Sequence, residues 1–136
     1  MPSAAGAGRD VELIVGHNRD EWRTFLLFSG QLGKFTEEQA AEALHLAEAQ
    51  VAGGGQAHLY ELTWQSPGNG GVMRACHGLD GPLLFGTYDA QLGPPAIGPE
   101  PTAEAQDLTC QIRTAWTSFA TSGTPGAGPR TTPSSA

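Results

Sequence analysis

The chain has 136 residues, with 7 Lys+Arg against 14 Asp+Glu and 39% hydrophobic residues, which allows one ordinary domain at most. Leu, Ile, Val and Phe together supply 25 residues, about 18%, and Gly+Pro another 29, about 21%, so a core can form, but a small one with few long elements. The net charge of −7 leaves Lys34 and six scattered arginines for phosphate, which argues against an electrostatic grip on nucleic acid.

Residues 1–10 are small and polar and read as a flexible N-terminus without the basic start and apolar stretch of a secretory signal. The chain as written is expected to stay in the cytoplasm, although a preceding part could have carried a signal. Residues 11–15 form a short apolar, β-branched run stopped by Gly16, the pattern of a buried strand. His17 to Phe28 reads as a loop entering a short helix. Its Phe25-Leu26-Leu27-Phe28 is the longest strongly apolar run, far short of the roughly 18 residues that span a bilayer, so no membrane partner is expected.

Thr36 precedes Glu37, Glu38 and Gln39 and fits the capping position of a helix running to about Ala52. Ala40, Ala41, Leu44, Ala47 and Val51 follow helical spacing, and Gly53-Gly54-Gly55 stops the helix. Residues 57–64 are rich in strand formers and give a second strand, broken at Ser66-Pro67-Gly68. A loop with Cys76, His77, Gly78 and Asp80 follows, then Pro82-Leu83-Leu84-Phe85-Gly86 and a Pro-rich connector to Pro101. A last helix is expected from Thr102 to about Thr121, with Leu108, Ile112, Ala115, Trp116 and Phe119 on one face. Residues 122–136 read as a disordered tail. The order strand, loop, helix, strand, loop, helix suits an α/β fold with a parallel or mixed sheet.

The chain lacks G-x-S-x-G, a phosphate loop, Cys-x-x-Cys and H-E-x-x-H. Cys76 and Cys110 are expected to stay reduced without an export signal. His17, His45, His58 and His77 are not spaced as a metal site, and neither metal nor cofactor is expected. Glu21 and His77 stand apart, because each follows a predicted strand and sites in open α/β sheets lie in the loops beyond the strands' carboxyl ends. An acid bonded to a histidine would orient it for proton abstraction; on spacing alone, a purely structural role is the favoured reading for each residue.

The residues themselves resemble a family. Residues 11–28, centred on Gly16-His17-Asn18-Arg19-Asp20-Glu21, are similar to the acid-bearing segment of type-B carboxylesterases, the relatives of cholinesterases and bacterial para-nitrobenzyl esterases. Tyr60-Glu61-Leu62-Thr63-Trp64-Gln65-Ser66-Pro67 resembles the strand before the family's histidine loop, and residues 75–86 resemble that loop. Ala115-Trp116-Thr117-Ser118-Phe119-Ala120-Thr121-Ser122-Gly123-Thr124-Pro125 looks like the terminal W-x-x-F-A-x-x-G-x-P helix and turn. The resemblance implies a C-terminal fragment of an α/β-hydrolase fold over residues 11–121, short strands covered by helices in an incomplete sheet. It makes Glu21 the triad acid, in preference to its neighbour Asp20, and His77 the general base for a serine attacking a carboxylic ester.

Three departures accompany the match. None of Ser3, Ser29, Ser66, Ser118, Ser122, Ser134 or Ser135 lies in a nucleophile-elbow context, and the oxyanion segment has no counterpart. Glu21 and His77 are 56 positions apart, closer than in the family, which points to an internal deletion near residues 44–46. Arg74 stands where relatives often have glycine. The expectation is a Ser-His-Glu ester hydrolase by resemblance whose isolated chain is inactive. Cys76 adjoins His77, but neighbouring residues rarely point at one another in the geometry a substitute nucleophile needs. The alternatives are half of a split esterase, with another polypeptide supplying the serine, or a non-catalytic interaction remnant presenting Trp22, Phe25, Phe28, Trp64, Trp116 and Phe119.

Overall fold

The computed structural model describes residues 5–21, 23–25, 38–90, 92–98 and 100–126. Strand β1 (Leu13–Asn18) runs parallel to β2 (Ala57–Leu62), in a register that pairs Leu13 with Ala57 and Asn18 with Leu62. β1 is therefore longer at its carboxyl end than the apolar run predicts. Gly16, His17 and Asn18 are polar or small, yet they stand opposite Tyr60, Glu61 and Leu62. β2 ends at Leu62, two residues earlier than expected.

Parallel strands need a crossover, and this one carries helix α1 (Glu38–Ala52), which packs against both strands. Thr36, the expected cap, lies outside the described residues. The helix runs unbroken through residues 44–46. It stops where Gly54 adopts φ +88°, a backbone conformation that costs glycine little. The buried face includes Ala47 as expected but departs from the expected one at Leu44 and Val51. Ala43, Ala47 and Gln50 are buried, while Leu44 is 44% and Val51 58% exposed. Two alanines permit close approach to the strands, and the Gln50 amide donates to the carbonyls of Gly8 and Val11, both at 2.9 Å. That tether fixes the helix's rotation and turns the larger side chains outward.

Among the described residues, a short 3-10 turn (Gly68–Gly71) and three further α-helices follow β2. α2 (Asp80–Phe85) ends at Gly86 in the left-handed conformation, and α3 (Gly93–Ile97) carries prolines in its first turn. Neither was expected as a helix. Pro94 and Pro95 read as breakers, but proline is tolerated where a helix's N–H groups have no partner anyway. α4 (Ala103–Ser122) starts as expected, with Thr102 Oγ1 accepting the Ala105 N–H at 3.1 Å. Leu108, Ile112 and Ala115 are buried on its inner face, and Trp116 and Phe119 are half-buried.

The main core lies beyond the sheet. Leu62, Trp64, Met73, Cys76, Leu79, Leu83, Ile97, Leu108 and Ile112 form one buried cluster. α2 packs on α4, whose Arg113 donates to the last carbonyls of α2, Leu84 and Phe85, both at 3.1 Å. This is a favourable cation at a helix C-terminus. Gly68 sits so close to the backbone of Pro95 and Ala96 that a Cβ there would collide, and the Ser66 hydroxyl donates to the same Ala96 carbonyl. α4 sends Phe119 to His58 and Trp116 to Tyr60, at ring separations of 5.9 and 4.9 Å. The result is an α/β arrangement with a two-stranded, incomplete parallel sheet. No helix among the described residues is long and apolar enough to cross a membrane.

Candidate active site

The chain turns sharply on leaving β1. The Glu21 N–H donates to the Asn18 carbonyl at 3.2 Å, and the Asn18 N–H donates back to Glu21 Oε1 at 2.9 Å. Beyond this turn the segment lies parallel to the 75–77 loop, through an isolated bridge between Asp20 and Cys76. Asp20 N–H donates to the Ala75 carbonyl at 2.9 Å, and His77 N–H to the Glu21 carbonyl at 3.2 Å. The Asp20 carboxylate accepts the Ala75 N–H at 3.3 Å. Asp20 thus spends its side chain on the backbone, and Glu21 is the acid that faces His77.

Glu21 Oε2 lies 2.7 Å from His77 Nδ1. One carboxylate oxygen is held by the Asn18 amide and the other by the imidazole, so the ring orientation is fixed through the pair. Glu21 accepts the proton assigned to Nδ1, which leaves Nε2 as the basic nitrogen. Nε2 has no partner among the described residues, and the His77 side chain is 55% exposed against 15% for Glu21. An imidazole held this way can take a proton from a nucleophile brought to Nε2.

Residues that the sequence reading passed over complete the arrangement. Asn18 is buried, and its Nδ2 donates to the Cys76 carbonyl at 2.9 Å and to Asp80 Oδ1 at 3.1 Å. One residue therefore positions both the acid and the histidine loop. Thr24 Oγ1 donates to the His77 carbonyl at 3.4 Å, and the Phe25 ring lies 5.0 Å from the imidazole, tilted by 45°. The only signal for Asn18 was its place in a polar turn motif. Arg74 has φ +50°, a left-handed conformation that side chains disfavour.

The other candidates lie apart. Cys76 is fully buried, and burial pushes its thiol up, so it is poorly suited to nucleophilic attack. Cys110 is exposed, and both cysteines are free. His45 is exposed on α1, and His58 packs on Phe119. His17 lies 3.8 Å from Glu61, whose carboxylate is held below its ordinary range by the Arg19 guanidinium. Ser66 is buried and bonded to Ala96, while Ser118 and Ser122 bond to the Thr124 carbonyl. Ser3, Ser29, Ser134 and Ser135 lie outside the described residues, as do Trp22 and Phe28. Trp64 is part of the core rather than a surface contact.

The two-stranded parallel sheet with its helices fits part of an α/β-hydrolase fold, and a solved structure shares that fold. That structure is a PNB esterase, 22% identical, with a TM-score of 0.66 over 92% of this chain. The match covers 32% of the esterase, so this chain spans about a third of its length. No protein-family model matches the chain.

Proposed function

We propose that the chain carries the acid and the base of a type-B carboxylesterase site, Glu21 and His77. A serine and oxyanion donors from another stretch of polypeptide would complete it. The observation that carries this reading is the 2.7 Å Glu21–His77 contact, with Nε2 left open for a hydroxyl. In the full reaction His77 takes the serine proton during attack on the ester carbonyl, and Glu21 stabilises the imidazolium. Without oxyanion donors, typically worth 100- to 1,000-fold in rate, and with no serine at Nε2 among the described residues, the 136-residue chain has no esterase activity of its own. The small carboxylic ester and the serine-bearing polypeptide are then its partners.

The test is hydrolysis of a short-chain p-nitrophenyl ester by the purified chain and by His77→Ala. Neither is expected to exceed buffer. Turnover by the wild type that vanishes in His77→Ala would mean that a nucleophile is present and would overturn the partial-site reading. The pair is checked separately by the imidazole Nδ1–H resonance, which is expected far downfield in the wild type and absent in Glu21→Gln.

A second reading, a non-catalytic interaction remnant, draws on the exposure of Phe25, Leu44, Val51, Leu59 and Phe85. It requires that partner binding survive His77→Ala, and loss of binding with the fold intact would refute it.

A further inference from the structure

Between the sheet and α4 lies a cavity of about 540 Å³, within the range of small-molecule sites. Tyr60, Trp64, Leu108, Ile112 and Trp116 build its wall, and Asp80, the first residue of α2, stands among them. Tyr60 and Trp116 meet edge to face at 4.9 Å, an arrangement that holds both rings in place. Neither Glu21 nor His77 lines the cavity.

The lining carries two carboxylates, Glu61 and Asp80, and one basic group, the His58 imidazole. Glu61, also at the wall, is neutralised by Arg19 through two bonds of 2.9 and 3.0 Å. Asp80 has no cationic partner among the described residues. Its Oδ1 accepts from the neutral Asn18 amide at 3.1 Å. No Lys or Arg lines the cavity. Burial, aided by the charges of Asp80 and Glu21, pushes the Tyr60 hydroxyl up, so it stays a neutral donor and acceptor here. An anionic guest would meet the half-buried, unpaired Asp80 carboxylate, and a neutral one would leave that carboxylate without a counter-charge. A guest with an ammonium answers it through a charge-assisted hydrogen bond, while the aromatic and aliphatic walls take an apolar body.

We propose that this cavity binds a small hydrophobic amine, its N–H groups donating to Asp80 and its apolar body lying against Trp116, Leu108 and Ile112. The site does not include the acid–histidine pair, to which Asn18 links Asp80, and it does not depend on the esterase reading.

The test titrates the ¹⁵N-labelled full chain with 2-phenylethylamine, using 2-phenylethanol and 3-phenylpropanoate as neutral and anionic probes of similar size. The amine is expected to give saturable shifts centred on the Trp64 and Trp116 indoles and on Tyr60. 3-Phenylpropanoate should bind at least about tenfold more weakly, the scale of one charged hydrogen bond. Asp80→Asn keeps Oδ1 for Asn18 and should weaken the amine about tenfold while leaving the alcohol unchanged. Absence of saturable shifts with the amine, equal affinity for the three probes, or an unaltered amine affinity in Asp80→Asn would overturn the assignment. Because the probe comparison is made on the wild type, it decides the matter even where the variant does not fold.

Discussion

Asn18 makes two bonds to Glu21 with its backbone and two through its side chain, to Cys76 and Asp80. Truncation to Ala leaves the backbone bonds and removes both side-chain bonds; the Cys76 carbonyl keeps the Leu79 N–H at 3.2 Å, so the loss is that of buried hydrogen bonds, about 1 kcal/mol each. Asn18→Ala is expected to lower the urea midpoint accordingly and to weaken the downfield Nδ1–H signal, because the histidine loop loses one of its tethers. Asn18→Asp should be worse near neutral pH, since it sets a third carboxylate beside Glu21 and Asp80; acid should narrow the gap between the two variants. Arg74 presents the opposite case. A left-handed side chain costs roughly 1–2 kcal/mol, of which Gly returns part to unfolded-state entropy. Arg74→Gly should therefore raise stability by about 0.5 kcal/mol, read as a higher urea midpoint. Cys76 adds a pH dependence. Its thiol is raised by burial above the ordinary 9.0, so at alkaline pH the unfolded chain releases this proton before the folded one does. Folded stability should fall as pH climbs past 9.0, and Cys76→Ala should flatten that limb of the stability curve.

Among the elements, α1 gives the sharpest check. Its exposed Leu44 and Val51 and its buried Ala43 and Ala47 invert the usual reading of a hydrophobic stripe. Leu44→Lys and Val51→Lys should change stability by no more than about 0.5 kcal/mol, whereas Ala47→Lys should cost several-fold more. The comparison is made by chemical denaturation, and equal losses at Leu44 and Ala47 would place the helix in another rotation. The stripe was misread because alanine says little about burial and the deciding contact is polar, from Gln50 to two distant carbonyls. α4 was legible for the opposite reason: Thr102 caps it and Leu108, Ile112 and Ala115 recur at helical spacing. α3 was hidden by its prolines. The carboxyl half of β1 was hidden because its pairing lies with Tyr60–Leu62, residues far along the chain. The site followed the same division. Family resemblance singled out Glu21 and His77, and the structure brings them together. Asn18 and Asp20 act through backbone partners 55 to 58 residues away, which no local pattern announces.

At the scale of the molecule, burial is uneven. The fully enclosed side chains, Met73, Leu79, Leu83 and Ile97, belong to the segment after β2, where α2, α3 and α4 meet. β1 is buried only at Asn18, its other residues being half-exposed, and α1 closes on the strands with alanines. Parallel sheets gain stability from being covered on both faces, and a pair of strands alone is marginal. The free energy of opening should therefore differ along the chain: amides of Leu108 to Ile112 and of Leu83 should exchange with solvent only on global unfolding, and those of Leu13 to Val15 through cheaper local opening. Native-state hydrogen exchange at increasing urea measures both. Convergence of all these amides at the lowest denaturant would show one cooperative unit. A separately opening β1 would mean that the acid and the histidine belong to halves of unequal stability, joined by Asn18 and the Asp20–Cys76 bridge. In that case the Glu21–His77 contact should be lost at urea concentrations that leave α4 intact. A polypeptide that covered β1 would then strengthen the pair by suppressing the opening, without touching either residue.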